Sequence, residues 1–73
     1  MDTKKHADAG ARLRRLRQAR GLTVEQLSQY VGVHHSTVCR WEAGRSQPLE
    51  PYVPLLAAAL GVTPYDVIDV CNL

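Results

Sequence analysis

Residues 22–48 read LTVEQLSQYVGVHHSTVCRWEAGRSQP, and the helix signals inside that run decide the fold. Thr23 with Gln26 three residues later is a capping box. A hydroxyl and a side-chain amide there satisfy two of the backbone N–H groups that a helix start leaves unpaired. Leu22 before the cap and Leu27 at the fourth helical position form a hydrophobic staple. Val24, Leu27 and Val31 recur at i, i+3 and i+7, the inward stripe of a short helix over residues 24–31 that Gly32 ends. Two or three residues later a second helical pattern runs from His35 to Ala43, with Val38 and Trp41 three apart on its buried side. His35, Ser36, Cys39 and Arg40 fall on the remaining face, and none of them is a strong core residue.

Working outward, four glycines (Gly21, Gly32, Gly44 and Gly61) each follow a stretch of helical periodicity, as helix-ending residues do. Before Gly21, residues 8–20 place Ala9, Leu13 and Leu16 on one face and arginines round the rest, a basic amphipathic helix. After Gly44, residues 52–60 carry Val53, Leu56, Ala57 and Leu60 on one face. Pro48, Pro51 and Pro54 crowd the start of that helix. Proline is tolerated in a first turn, so the helix is expected to begin near Pro51 with Pro54 still in its opening turn. Thr63 and Pro64 read as N-cap and first position of a last helix reaching about Val70. No stretch alternates as a strand would. The expectation is five helices and no sheet.

The chain has 73 residues, 45% of them hydrophobic and 22% charged, a globular mix with room for one domain. The expected organisation is a flexible segment over residues 1–7, one domain over 8–70 and a tail over 71–73. The apolar run that contains Pro54 to Gly61 is far short of the roughly 18 residues that span a bilayer. The first apolar stretch also lacks the form of a secretory signal. Two cysteines, Cys39 and Cys71, are too few for a disulfide framework, so reduced thiols in a cytoplasm are expected. A core this small supplies only about 3–5 kcal/mol, and oligomerisation or ligand binding is expected to add to it.

Charge is unevenly placed. All nine basic residues lie before position 46, against four acidic ones, so residues 1–45 carry a net +5 and residues 46–73 a net −3. One end of the molecule suits a polyanion and the other does not. Two helices joined by a tight glycine turn, the second offering hydrogen-bonding groups outward, form the helix-turn-helix pattern, which aims that second helix at the major groove of a duplex.

Residues Gly10 to Asp69 resemble the Cro/C1-type (XRE-type) helix-turn-helix domain of phage repressors and bacterial regulators. The resemblance is carried by Leu22-Thr23, Glu25-x-Leu27, Gly32-Val33, Ser36-Thr37-Val38, Trp41-Glu42-x-Gly44 and Ala59-Leu60-Gly61-Val62. It implies an all-α, compact five-helix bundle of the lambda-repressor-like type. It also implies double-stranded DNA as ligand and a homodimer on a palindromic operator. By position, the recognition helix is His35–Ala43 and the base-contacting residues are His35, Ser36 and Arg40, with His34 and Thr37 beside them. Arg40 suits a bidentate pair with guanine O6 and N7. His35 can donate to a guanine or a phosphate, and Ser36 can donate or accept, so neither names a base. His34 stands at the N-cap, where Ser or Thr is preferred.

Val24 replaces a Gln that in many relatives reaches a backbone phosphate. The phosphate or flanking candidates are Thr23, His34, Thr37 and Arg45, together with first-helix arginines: Arg12 and Arg14 foremost, then Arg15 and Arg20. A helix spreads these round its axis, so not all of them face DNA. The resemblance pairs Arg17 with Glu42 as an internal salt bridge. Separately, the acidic, apolar C-terminal end is expected to face away from DNA, with Tyr65, Ile68 and Leu73 as a candidate dimer seam.

Other chemistries find less support. His34, His35 and Cys39 supply at most three of the four ligands zinc wants, so no metal and no cofactor is expected. Cys39 reads as a passive interface residue rather than a redox sensor. Trp41 reads as a core aromatic, and Asp66 and Asp69 as ordinary solvated charges. No nucleophile or phosphate loop supports catalysis. The expected function is sequence-specific DNA binding by a cytoplasmic transcriptional regulator, more often a repressor. The alternative is an antitoxin-like or adaptor module that uses the same fold to bind a protein partner.

Overall fold

A computed structural model describes the backbone of residues 3–71 and the side chains of residues 9–67. It contains α1 (Thr3–Ala19), α2 (Val24–Val31), α3 (His35–Glu42), α4 (Val53–Leu60) and α5 (Pro64–Cys71). One turn of 3-10 helix over Glu50–Tyr52 leads into α4, and there is no strand among the described residues. The helix α2 has the bounds its capping box and glycine predict. The helix α1 starts five residues before Asp8, so residues 3–7, expected as part of a flexible segment, are helical. The apolar stripe begins at Ala9 because the core begins there, and neither Gly nor Pro interrupts residues 3–8. At the other end α5 runs through Cys71, the first residue of the expected tail; Asn72 and Leu73 lie outside the described residues.

Prolines shape the start of α4 in two steps. Pro51 sits in the opening turn of the 3-10 segment and Pro54 in the opening turn of α4, each where a missing N–H costs no helical hydrogen bond. Between α2 and α3 the chain has three residues in which to turn. Gly32 adopts φ 84° there, and both its own N–H and that of Val33 close on the Ser28 carbonyl, at 2.8 and 3.0 Å. A side chain at that φ would be strained, which is why the turn needs glycine.

Every helix contributes to one core. Ala9 and Leu13 come from α1, Leu27 and Val31 from α2, Val38 and Trp41 from α3, Leu56 and Leu60 from α4 and Val67 from α5. Leu16 and Val24, expected inside, are half-buried against its edge. Trp41 is a core aromatic whose ring meets that of Tyr52 at 5.7 Å between centroids. The helix α3 packs on α1 and α2, α4 packs on α2 and α5, and α5 returns to α1. The helix α3 is thus braced by two helices.

The contact between α1 and α3 is backbone-close. A β-carbon on Gly10 would lie 2.6 Å from the Trp41 carbonyl oxygen and nearer still to that of Glu42. Helix propensity alone makes Gly10→Ala stabilising by about 1 kcal/mol. The structure reverses that sign, because α3 must move off α1 to admit a methyl group. Gly10→Ala is therefore expected to lower the melting temperature by several degrees in a circular-dichroism melt; an unchanged or higher value contradicts the close crossing.

Candidate nucleic-acid interface

With Val38 and Trp41 turned into the core, α3 leaves a stripe of side chains facing outward. His35, Cys39 and Arg40 are exposed, and Ser36 and Thr37 are half-buried between them. Arg45 is exposed in the turn that follows. The structure thus brings every candidate base-contacting residue to one surface. Thr23 caps α2: its Oγ1 accepts from the Gln26 N–H at 3.0 Å, and the Gln26 side chain accepts from the Thr23 N–H at 2.9 Å. The Thr23 hydroxyl keeps its own proton for an external acceptor.

The histidine at the N-cap does the work usually given to a hydroxyl. His34 Nδ1 accepts from the Ser36 N–H at 3.2 Å and lies 2.8 Å from Ser36 Oγ. Its ring is set against that of His35, with centroids 4.3 Å apart. The departure from Ser or Thr therefore leaves the first turn of α3 capped.

The far end of α3 is held by a salt bridge. Arg17 donates from Nε to one Glu42 carboxylate oxygen at 2.6 Å and from Nη2 to the other at 3.1 Å. Its Nη1 donates to the Leu22 carbonyl at 2.8 Å. The two side chains keep only 11% and 9% of their exposure. The Glu42 hydrogen bonds raise the guanidinium pKa above its ordinary value, outweighing the opposite effect of burial. This is the only ion pair among the described residues. The described carboxylates thus leave the exposed Arg12, Arg14, Arg15, Arg40 and Arg45 unpaired.

A family model described as a helix-turn-helix domain matches residues 8–67. The chain belongs to that family. It is of the XRE or Cro/C1 type. It is 45% identical over 58 residues to the uncharacterized HTH-type transcriptional regulator RghRB of Bacillus subtilis (strain 168). That match covers 78% of this chain and 41% of the relative, so the chain spans less than half the length of that curated relative. It is also similar to the crystal structure of the restriction-modification controller protein C.AhdI from Aeromonas hydrophila, with a TM-score of 0.78 and 34% identity over 85% of this chain and 94% of that one. The structure of the clp gene regulator ClgR from C. glutamicum matches with a TM-score of 0.75 and 27% identity, over 89% and 86% of the two chains.

Within this family framework the first-helix arginines separate. Arg14 lines a shallow cleft with Val24 of α2 and Cys39 and Ala43 at α3, beside the outward stripe. Arg20 instead lies over the end of α4: a β-carbon at Gly61 would sit 3.3 Å from its guanidinium carbon. There its charge complements the negative end of that helix, a role its sequence position did not announce. Asp66 is also more than a solvated charge. Its Oδ2 accepts from the Thr63 N–H at 3.1 Å and from the Thr63 hydroxyl at 2.9 Å, and its own N–H returns to Thr63 Oγ1 at 3.4 Å. The spacing Thr63-x-x-Asp66 was the readable signal for this capping box.

Removing one partner of the Arg17–Glu42 pair strands a charge that is nearly out of water. Arg17→Ala is expected to cost about 3 kcal/mol in a urea titration, while Arg17→Met with Glu42→Leu recovers most of that loss. A double variant no more stable than Arg17→Ala alone contradicts the pairing.

Proposed function

We propose that this chain is a small transcription regulator, a repressor, that binds duplex DNA sequence-specifically with α3 in the major groove. The observation that carries the reading is the outward stripe of α3, whose hydrogen-bonding side chains are held clear of the core by Val38 and Trp41. Arg40 pairs with guanine there, His35 and Ser36 meet neighbouring base edges, and Cys39 is a passive neighbour. Arg12, Arg14, Arg45, Thr23, His34 and Thr37 hold phosphates, setting register without reading sequence. The names of the relatives, a transcriptional regulator, a restriction-modification controller and a gene regulator, support this class of role. It is a binding function that asks for no cofactor or catalysis.

The operator is palindromic and the protein binds it as a homodimer. Tyr65, 79% exposed on α5, supports a seam through the acidic end. The Ile68 side chain and Leu73, the other seam residues, lie outside what the structure describes. Leu49 and Leu55 add exposed apolar surface nearby in the chain. No helix among the described residues is long and apolar enough to cross a membrane, and the site of action is the bacterial nucleoid.

Selection from a random duplex library with purified protein is expected to return two inverted half-sites with centres about 10 base pairs apart. A single half-site removes the dimer and keeps recognition. No enrichment, with binding that vanishes as salt rises, overturns the specific reading. On the selected site Arg40→Ala is expected to weaken binding by about 10- to 100-fold. Arg45→Ala lowers the slope of log K against log salt by about 1 and affects all sequences alike. In sedimentation runs at micromolar concentration with operator, Tyr65→Arg shifts the complex towards a single protomer.

A further inference from the structure

A serine hydroxyl has one proton to give and two lone pairs to offer, so by itself Ser36 accepts any base edge. The N-cap removes that freedom. A backbone amide can only donate, and the Ser36 N–H points at His34 Nδ1 across 3.2 Å. That nitrogen is therefore the unprotonated one, and the ring proton sits on Nε2. The 2.8 Å contact between the same Nδ1 and Ser36 Oγ is then a hydrogen bond only if the hydroxyl donates. Its proton turns back to the imidazole, and the lone pairs of Ser36 are what remain for an outside partner. The His35 ring, 4.3 Å away and tilted 32° to the His34 ring, restricts the swing of His34 that would release the hydroxyl.

We propose that His34 is a positioning residue that makes Ser36 an obligate acceptor and so sets base preference at one operator position. On the strand Ser36 faces, adenine and cytosine present N6–H and N4–H donors to the major groove, whereas guanine and thymine present only acceptors and a methyl group. Adenine or cytosine is selected and guanine or thymine rejected. This rests on the reading above that Ser36 meets a base edge.

The test measures binding to the selected operator with all four bases substituted at each position, for the wild type, Ser36→Ala, His34→Gly and His34→Asn. One position is expected to favour adenine or cytosine by roughly three- to tenfold, the effect of one neutral hydrogen bond. Ser36→Ala abolishes that preference. Glycine is a tolerated N-cap but offers no side-chain acceptor, so His34→Gly reduces the preference below about twofold with the fold intact in a thermal melt. Asparagine keeps an acceptor at the cap, so His34→Asn retains the preference. A merely structural role for His34 weakens all sequences evenly and leaves the base profile unmoved. A preference that survives His34→Gly, or a wild-type preference for guanine or thymine at that position, overturns the inference alone. A base profile untouched by Ser36→Ala overturns the base contact itself and the inference with it.

Discussion

The orientation of the recognition helix depends on one guanidinium. Glu42 is the last residue of α3, where a negative charge meets the negative end of the helix dipole and is disfavoured. Arg17 offsets it from the last turn of α1, where a positive charge is favoured. The same side chain donates to the Leu22 carbonyl and so also ties down the loop that leads into α2. Three segments meet at one planar, five-donor group, a geometry that lysine does not reproduce. Two helical turns earlier on α1, Gly10 lets the carbonyls of Trp41 and Glu42 approach the helix backbone. Charge and close approach act on the same end of α3, leaving its outward stripe in a set direction.

Four of the five helices span only eight residues each, a length that is marginal in isolation. Their starts are therefore chemically explicit, in three ways: a capping box at α2 and α5, an imidazole at α3 and proline at α4. Thr23 and Gln26 cap α2, His34 caps α3 through its imidazole, proline opens α4, and Thr63 with Asp66 caps α5. Using an imidazole at the second of these places is economical at a binding surface. It satisfies the backbone amide of Ser36 without a hydroxyl at the cap.

Much of this was legible because caps are local. The bounds of α2 follow from Thr23, Gln26 and Gly32, which act within a few residues of one another. The buried positions of α3 and α4 follow from helical spacing for the same reason. The start of α1 was not legible, since the apolar stripe reports where a helix touches the core and not where it begins. Asp66 passed as a solvated charge although its partner lies three residues away; that signal was present and unread. The Arg17–Glu42 pair was anticipated only through the family resemblance, because nothing within 25 residues of sequence separation marks two charges as partners.

The amino-acid sequence by itself determined that there are five helices, where the turn of the motif falls and that the positive charge gathers before residue 46. These are consequences of spacing, capping and composition, each acting along the chain. Only the tertiary structure decided which of the arginines stand free. Five arginines of one basic stretch look alike in sequence, yet on α1 Arg17 is part-buried against Glu42 and Arg14 borders the recognition helix, while Arg20, just past the end of α1, lies over Gly61. The difference is the direction each side chain takes, on α1 or just past its end, relative to the rest of the bundle. That direction acquires meaning only when α3 and α5 have packed on α1 and α5 has brought α4 beside them.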